Sequence, residues 1–431
     1  MPEKITGQVA ISQKTFSQIA KEVKNISSFT QVVKENLPKE VTQILEVILA
    51  GAINLDSSDI HIEREEKKVK MRLRLDGVLH DVLYLELKIY QSLLSRIKLL
   101  SGIKLNITDQ AQDGRFTILL EKVPIEVRVS TLPSEYGETI ALRILNPKSL
   151  IEIEDLGVRK DMLEDFKKEI QRPNGMIMVT GPTGSGKTTT LYAILKRIQY
   201  PEIKIITIED PIEYHLEGIS QTQVNPKRGY DFATGLRAIV RQDPDVILVG
   251  EIRDFETAKI ALQAALTGHL VLSTLHTNDA AGTVARLQAL GEKPVNIAPA
   301  INSAMAQRLV RKVCKKCVKF EKPSKSEESM IKKELKSLSK KVKLPSLNNL
   351  KIPRIKGCQS CNVTGYRGRI GIFEFFLVDP EMEDFILKSP SVSALRKMAE
   401  KKGMVTMRKD GLLKAIQGTT TIEEVNRVAG R

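Results

Sequence analysis

The sequence predicts an α/β protein in which a small α+β domain precedes a core built on a mainly parallel sheet with helices on both faces. Two patterns predict this order. Between residues 59 and 146, short runs alternate apolar with charged residues, as half-buried antiparallel strands do. From about residue 172, wholly apolar runs alternate with helical segments, which is typical of parallel strands covered on both faces.

These patterns divide the chain into six segments. Residues 1–40 are polar with scattered apolar positions and are expected to form a helical arm or a disordered lead-in. The other boundaries are set by five sequence features, which are an apolar helix, an acidic linker, the apolar strand runs, the cysteines and a polar tail. They give a small α+β domain at 41–150, a linker and start of the core at 151–171, the core at 172–312, a cysteine element with a Lys-rich insertion at 313–362, and a C-terminal helical region at 363–431.

Bulk composition limits the class of protein. No apolar signal-peptide segment is evident, and no apolar stretch approaches the roughly 20 residues of a membrane-spanning helix, so a cytoplasmic protein is expected. The formal net charge of +15 favours acidic partners such as nucleic acid, an anionic membrane surface or an acidic protein. An aromatic content of 4% with no Trp weakens the nucleic-acid alternative, because single-strand binders stack bases on aromatic rings.

The most specific motif is GPTGSGKT, which fits the phosphate-binding P-loop pattern G-x-x-x-x-G-K-[ST]. Its glycines let backbone N–H groups surround a β-phosphate, while the lysine reaches the β- and γ-phosphates and the threonine hydroxyl can ligate Mg²⁺. An apolar strand precedes the motif and an amphipathic helix follows it, so the helix N-terminus faces the anion. The predicted ATP-binding residues are Gly181, Pro182, Thr183, Gly184, Ser185, Gly186, Lys187, Thr188 and Thr189.

Acidic and histidine residues follow three other predicted strands and should lie at the same sheet edge as the P-loop. Glu251, after VILV, is the predicted carboxylate that polarises the attacking water. Gly250 stands where an acid usually holds Mg²⁺ through water, so Glu209, after IITI, is assigned that duty together with Thr188. His276, after LVLSTL, is a candidate γ-phosphate sensor or bridge to a subunit interface, and a structural histidine is the alternative.

Four cysteines form two C-x-x-C pairs, which indicates a metal site in a reducing compartment. Cys314, Cys317, Cys358 and Cys361 supply four soft ligands suited to tetrahedral zinc, and a site filled by sulfur is structural. Between the pairs, 12 Lys/Arg stand against 4 Glu. This Lys-rich insertion, at about 319–345, is expected to be mobile or helical, and a solvated loop is the alternative to a binding surface.

The ordered blocks GPTGSGKTTTLYA, ITIEDPIEY, RQDPDVILVGEIRD and LTGHLVLSTLHTNDA resemble the hexameric secretion ATPases of type II secretion and type IV pilus assembly, the GspE/PilB type. The resemblance extends from about Ser58 to the end. It implies a RecA-like P-loop core preceded by a PAS-like α+β domain, with a zinc element and a helical tail. TIEDPIEY is similar to the family's aspartate box, GEIRD to its Walker B with the same glycine, and TGHLVLSTLHT to its histidine box.

The resemblance also implies roles for four arginines. Arg128 and Arg143 match arginines of the upstream domain that reach the nucleotide phosphates, where a fixed guanidinium charge offsets developing negative charge. Arg241 and Arg253 match further arginines near the site. From the residues alone, alternating arginines on a strand are more often a solvated face. Because the family's assembly ATPases carry the tetracysteine element and its retraction motors generally lack it, the resemblance favours assembly or secretion.

The resemblance implies a ring of six subunits that hydrolyses ATP, with Mg²⁺ at the nucleotide and Zn²⁺ as a structural ion. Hydrolysis between the two domains would drive pilus or pseudopilus assembly through an inner-membrane platform protein, with the motor on the cytoplasmic side of that membrane. Family members often begin with an additional docking domain, and the short lead-in here predicts that docking is reduced or uses another surface. A ring-forming nucleic-acid translocase and a non-hydrolysing nucleotide-regulated scaffold are the alternatives, and pilus, secretion and DNA-uptake machines remain equally open.

Overall fold

A computed structural model of the protein describes residues 7–120, 123–147, 150–336 and 349–430, together with positions 338, 342, 344 and 347. Within these ranges the chain forms two compact units. The first unit is drawn from Met1–Ser149, Cys314–Cys317 and Ile355–Arg367, and the second from Leu150–Val313, Val318–Arg354 and Gly368–Arg431. Among the described helices, none combines the length and apolarity that crossing a bilayer requires.

The first unit is a seven-stranded sheet packed against helices. Its elements are β1 (Gln8–Ile11), α1 (Gln13–Glu22), α2 (Ile26–Asn36), α3 (Val41–Asn54), β2 (Asp59–Arg64), β3 (Val69–Leu75), β4 (Val78–Leu85), α4 (Leu87–Leu100), β5 (Gln112–Leu120), β6 (Val123–Ser134) and β7 (Gly137–Leu145). The strand order is β1-β5-β6-β7-β2-β3-β4. The β1/β5 pair is parallel and the other pairs are antiparallel. The predicted α+β class of this unit is confirmed.

Residues 1–40 were expected to lie outside the small domain, but from Gly7 onward they form part of it. Strand β1 adds an edge to the sheet by pairing with β5, and the Gly7 N–H donates to the carbonyl of Leu100 at 2.9 Å. On α1 and α2, Ile19, Phe29 and Val33 are buried in the core of the unit. Helices α1 and α2 fit the helical alternative for this segment. Their membership of the small domain was not evident, because β1 has only four residues and the two helices bury a narrow apolar stripe.

The second unit is built on another seven-stranded sheet. Its elements are α5 (Lys160–Glu169), β8 (Gly175–Thr180), α6 (Lys187–Ile198), β9 (Ile205–Glu209), β10 (Ser220–Gln223), α7 (Phe232–Val240), β11 (Val246–Val249), α8 (Phe255–Leu266), β12 (Leu270–Leu275), α9 (Gly282–Ala289), α10 (Pro294–Ile297), β13 (Ile301–Val313), β14 (Lys319–Glu321), α11 (Lys325–Leu335), β15 (Ile352–Arg354), β16 (Tyr366–Leu377), α12 (Pro380–Leu387), α13 (Val392–Lys401), α14 (Met407–Ile416) and α15 (Ile422–Ala429). The order is β10-β9-β11-β12-β8-β13-β16, and β14 pairs with β15 separately.

Strand β8 explains the predicted pattern of this unit, since all six of its residues are buried. Met176 and Met178 pack in the cluster that contains residues of α7 and α8, whereas Ile177 and Val179 pack with α5 and α6. Strands β9, β11, β12, β8 and β13 pair in parallel. A mainly parallel sheet covered on both faces is therefore confirmed, and the carboxyl ends of its strands share one edge.

Residues 363–431 were predicted to be helical, but the first of them form β16, which extends the core sheet beyond β13. Helices α12–α15 follow it. The Lys-rich insertion is described only in part, and most of 337–345 lies outside the described residues. Its helix α11 is not merely solvated, because Ile331 and Leu335 are each 1% exposed and pack in a cluster with Leu412 and Leu413 of α14.

Candidate nucleotide-phosphate site

The P-loop connects β8 to α6 and has a backbone shape that favours glycine at three positions, Gly181, Gly184 and Gly186. Gly181 has a φ of 152°, and a Cβ there would lie 2.5 Å from Ser185 Oγ and 2.6 Å from the carbonyl oxygen of Gln307. Gly186 has a φ of 89°, in the left-handed region just before α6 begins at Lys187. The loop is therefore folded tightly against β13 and opens its helix N-terminus toward an anion.

Lys187 lies over this loop. Its Nζ donates to the carbonyls of Gly181 at 2.9 Å and Pro182 at 3.3 Å. Burial lowers the pKa of Lys187, the carboxylate of Glu251 opposes that change, and the charge of Arg308 adds to it. The Lys187 ammonium therefore has only neutral carbonyl acceptors, and the Arg308 guanidinium adds a second positive charge to the site. Both features favour binding of an anion.

Glu251, Arg253 and His276 lie close together beside Lys187. One carboxylate oxygen of Glu251 lies 2.5 Å from Arg253 Nη2, and the other lies 3.6 Å from His276 Nε2. The pKa of His276 is lowered by burial and by the charges of Lys187 and Arg253, so its neutral form is favoured. The structure brings together these four sequence-predicted residues at one edge of the sheet.

Glu209 ends β9 at the same edge, but its carboxylate is already engaged. It is 4% exposed and accepts hydrogen bonds from Tyr192 at 2.5 Å, Thr207 at 2.6 Å and Gln221 at 3.2 Å. Tyr192 lies on α6, and burial next to Glu209 raises the pKa of its phenol. In this structure Glu209 is held by protein donors and links the P-loop helix to β9. The assignment of Glu209 to Mg²⁺ stays a prediction.

Arg241 lies elsewhere. It follows α7, and the neighbouring Gln242 carbonyl accepts a hydrogen bond from Nζ of Lys204. The Lys204 N–H also donates to Asp245 at 2.7 Å. Because Lys204 directly precedes β9, this corner lies at the amino-terminal ends of the strands. Within one chain, Arg241 is therefore at the edge opposite Lys187.

In the first unit, the two predicted arginines lie in a cross-strand row on the face of the sheet away from its core. Arg128 is directly opposite Arg143, and the row continues on both sides. Across five strands it reads Arg115, Arg128, Arg143, Asp59 and Arg74. Asp59 pairs with Arg143 at 3.1 Å and with Arg74 at 3.2 Å. Glu126 pairs with Arg128 at 3.3 Å and with Arg115 at 3.5 Å, so two carboxylates stand against four guanidinium groups. Sequence reasoning missed the outer arginines, Arg115 and Arg74, and both carboxylates.

The four cysteines converge although the two pairs lie 40 residues apart along the chain. The Sγ distances are 3.9 Å for Cys314–Cys358, 3.8 Å for Cys317–Cys361 and 3.7 Å for Cys358–Cys361. Thiolates about 2.3 Å from a tetrahedral zinc lie about 3.8 Å apart, so the spacing fits this metal. The N–H groups of Cys358 and Gly365 donate to the sulfur of Cys361, as second-shell donors to a ligating thiolate do.

The cysteine element belongs to the first unit and not to the C-terminal region. The N–H of Ile26, at the start of α2, donates to Asn362 Oδ1 at 2.7 Å, one residue beyond the last cysteine. This contact satisfies a donor that the helix itself leaves unpaired. The grouping could not be inferred from sequence order, because the contacting residues are 336 positions apart.

Sequence reasoning also missed β13 and its side chains at the P-loop. Gln307 Nε2 donates to the carbonyl of Ser185 at 2.8 Å, and Gln307 Oε1 accepts from Thr190 at 2.8 Å. Arg308, the neighbouring residue, donates to the carbonyl of Asn278, two residues beyond His276, at 3.1 Å. The small and polar residues of INSAMAQ do not form an apolar run, although all seven are buried in the strand.

Together, a P-loop between a buried strand and a helix, with a carboxylate and a histidine at the same edge of a parallel sheet, define a RecA-like P-loop ATPase. The chain belongs to the family described as Type II/IV secretion system protein, which matches residues 35–427.

Two relatives illustrate the similarity. The chain is 45% identical over 379 residues to the type IV pilus assembly ATPase PilB of Thermus thermophilus, covering 88% of this chain and 42% of that protein. It is 46% identical over 389 residues to type II secretion system protein E of Dickeya dadantii, covering 90% of this chain and 75% of that protein. The chain thus spans less than half the length of the first relative and three quarters of the second.

Solved structures agree on the fold. The pilus retraction motor PilT with bound ADP is 26% identical with a TM-score of 0.58, covering 88% of this chain and 95% of that one. The ATPase DotB of Legionella pneumophila is 23% identical with a TM-score of 0.65, covering 89% and 95%. The second likeness bears on the fold alone.

Proposed function

We propose that this chain is the ATP-hydrolysing motor subunit of a machine that assembles a type IV pilus or a type II secretion pseudopilus. The observation that carries the proposal is the placement of Glu251 and His276 beside Lys187, where the carboxyl ends of the parallel strands meet. A phosphate-binding loop alone indicates nucleotide binding. A carboxylate at the same edge adds the means to activate water.

In the proposed mechanism, the P-loop N–H groups bind the β-phosphate and Lys187 exchanges its two carbonyl acceptors for phosphate oxygens. Glu251 accepts a proton from the attacking water, and Arg253 holds its carboxylate in place. His276, whose neutral form is favoured, lies 3.6 Å from Glu251 and would act as the γ-phosphate sensor. Thr188, together with Glu209, would hold Mg²⁺, which would supply charge neutralisation of the phosphates when bound.

Arg128 and Arg143 keep the role proposed for them as cations for the nucleotide phosphates. Their direct opposition on β6 and β7 supports this role, because two neighbouring guanidinium groups suit an anionic ligand, although Glu126 and Asp59 already pair with them. Arg241 lies at the opposite edge of the sheet, so the geometry of one chain does not support a role for Arg241 at the nucleotide.

The assembly around the chain is also a proposal. We infer a homohexamer on the cytoplasmic side of the inner membrane that acts on an inner-membrane platform protein, with zinc as a structural ion. The names of the relatives and the tetracysteine cluster support assembly or secretion. The net charge of +15 supports contact with an anionic membrane surface, whereas nucleic acid is disfavoured by the low aromatic content.

The test is steady-state ATP hydrolysis by the purified chain, measured with its oligomeric mass. Hydrolysis should be abolished by Lys187→Ala and should rise with vesicles containing anionic lipid. Stimulation by DNA instead, lost steeply with added salt, would favour a nucleic-acid translocase. ATP binding without turnover would favour a scaffold, and hydrolysis by Lys187→Ala at the parent's rate would remove the chemical basis of the proposal.

A further inference from the structure

The peptide between Ser185 and Gly186 decides what the P-loop offers to a phosphate. Because a peptide bond is planar and trans, the carbonyl of Ser185 and the N–H of Gly186 point in opposite directions. If the carbonyl is directed away from the loop interior, the N–H is directed into it. Gly186, with a φ of 89°, tolerates either sign of φ, so the local backbone does not settle this direction by itself.

A hydrogen bond from Gln307 fixes the direction of this peptide. Its Nε2 donates to the Ser185 carbonyl at 2.8 Å, and its Oε1 accepts from the Thr190 hydroxyl at 2.8 Å. Gln307 is 1% exposed and Thr190 is fully buried, so water does not replace either contact. A carbonyl can only accept, so the amide nitrogen must face Ser185, and the threonine hydroxyl completes the arrangement by donating to the amide oxygen.

The backbone around Gln307 adds to the constraint. The strand β13 runs parallel to β8 and pairs Ala306 with Thr180, so the next residue extends along the flank of the P-loop. A Cβ on Gly186 would lie 3.1 Å from Gln307 Nε2, and one on Gly181 would lie 2.6 Å from the Gln307 carbonyl oxygen. The side chain of Gln307 therefore lies against Gly186 and its main chain against Gly181, which are two of the three loop glycines with positive φ.

We propose that Gln307 is a positioning residue that holds the Ser185 carbonyl on β13, and so keeps the Gly186 N–H directed toward the bound phosphate. This inference rests on the proposed nucleotide site. Without the amide donor, a buried carbonyl has no partner on β13 and turns toward the loop interior, where its partial negative charge opposes the phosphate.

If Gln307 had a purely structural role, its substitution would lower stability without weakening ADP binding. The same strand offers a matched control for this distinction. Asn302, also on β13, donates from Nδ2 to the carbonyl of Asn174 at 2.8 Å, just before β8 begins. This contact is at the opposite edge of the sheet from the P-loop. Asn302→Asp therefore loses a buried amide-to-carbonyl hydrogen bond of the same kind without touching the phosphate site.

The experiment compares Gln307→Glu with Asn302→Asp in the full chain, using calorimetric titration with ADP and thermal unfolding. A carboxylate at 307 places an acceptor against the Ser185 carbonyl. We expect the Kd for ADP to rise at least tenfold in Gln307→Glu and to stay within twofold in Asn302→Asp, although both lower the melting temperature. The KM for ATP should rise more than kcat falls. Thr190→Val should weaken ADP binding, and Thr190→Ser should preserve it.

An unchanged Kd for ADP in Gln307→Glu, or an equal loss in Asn302→Asp, would overturn the proposal. If Gln307→Glu does not fold, Gln307→Met decides, since methionine has similar length and no donor, and the same tenfold loss is expected. Failure of the parent chain itself to bind ADP would instead count against the proposed function, so the two failures are distinguishable.

Discussion

At the scale of single residues, the site depends on charges that meet through tertiary structure. Lys187, Glu251 and His276 come from three connections of one sheet, and the charge of Glu251 acts on the pKa of both Lys187 and His276. Their meeting could be predicted, because carboxyl ends of parallel strands share an edge. The engagement of Glu209 could not, because its donors Tyr192 and Gln221 come from a helix and an edge strand whose register the sequence does not reveal.

Glu251→Gln is expected to lower kcat for ATP hydrolysis by about 10²- to 10⁴-fold while leaving ATP affinity nearly unchanged, because the amide cannot accept the proton of water. The measurement is steady-state kinetics with a separate titration of nucleotide. Glu256→Gln is the matched control, since this exposed carboxylate on α8 pairs only with Arg237 among the described residues. A variant at 251 with the parent's kcat would exclude Glu251 as the general base.

At the scale of elements, apolar runs predicted β8, β11 and β12 correctly, whereas β13 was missed. Two buried amide side chains on β13, those of Asn302 and Gln307, donate to backbone carbonyls just before and just after β8, so a buried strand can carry polar residues and its sequence is not uniformly apolar. Arg241 shows that a sequence match does not by itself establish the edge of the sheet at which a residue lies. It was matched by sequence to arginines near the site, but a residue that precedes a parallel strand lies at the opposite edge from one that follows it.

The buried carboxylate of Glu424 on α15 forms an ion pair with Arg311 on β13. Glu424 accepts from Arg311 Nη2 at 2.7 Å and from Arg427 Nη2 at 2.6 Å. Burial alone would raise the pKa of Glu424, but the hydrogen bonds from Arg427 and Arg311 outweigh it and lower the pKa to about 2. An unfolded glutamate titrates at about 4.3, so this stabilisation is complete above that pH and is lost as pH falls toward 2.

Glu424→Gln should therefore lower the free energy of unfolding at pH 7 by about 3 kcal/mol, and the difference from the parent should shrink between about pH 4.5 and pH 2. Chemical unfolding across this pH range measures it. Glu423→Gln is the control, because the neighbouring carboxylate is largely exposed and pairs with Arg354 at the surface. A constant difference between parent and Glu424→Gln at every pH would contradict the linkage.

Packing of α2 on α3 depends on a glycine. A Cβ on Gly51 would lie 2.4 Å from the ring of Phe29, which is fully buried. Gly51→Ala should destabilise the first unit by about 1–3 kcal/mol, because the helices must separate to admit a methyl group. Denaturant unfolding of Gly51→Ala, Phe29→Leu and the double variant measures it, and the double variant should recover part of the loss. Strict additivity of the two changes would argue against this contact.

At the scale of the whole molecule, the fold class could be predicted from local patterns, but the division of the chain could not. The cysteine pairs are far apart in sequence and join the first unit, while β16 returns to the second. Local periodicity reports which face of an element is buried. It does not report which distant element covers that face.

The tetracysteine cluster should hold one zinc per chain, measured by elemental analysis of the purified protein. Cys358→Ser should release the metal and lower the melting temperature, since metal binding and folding are coupled at such sites. Ser360→Ala, between the two cysteines of the same pair, should retain both zinc and stability. A chain that contains no zinc and melts at the same temperature with and without a chelator would rule out a structural ion here.

The route of the backbone through the two units restricts how the protein can be dissected. A contiguous fragment ending at residue 149 contains the first sheet but neither cysteine pair, and one starting at residue 150 carries both pairs away from the unit to which they belong. Neither half is a natural module for expression, domain exchange or limited proteolysis. A faithful first unit would need the cysteine segments supplied as separate peptides or spliced in by redesigned connections.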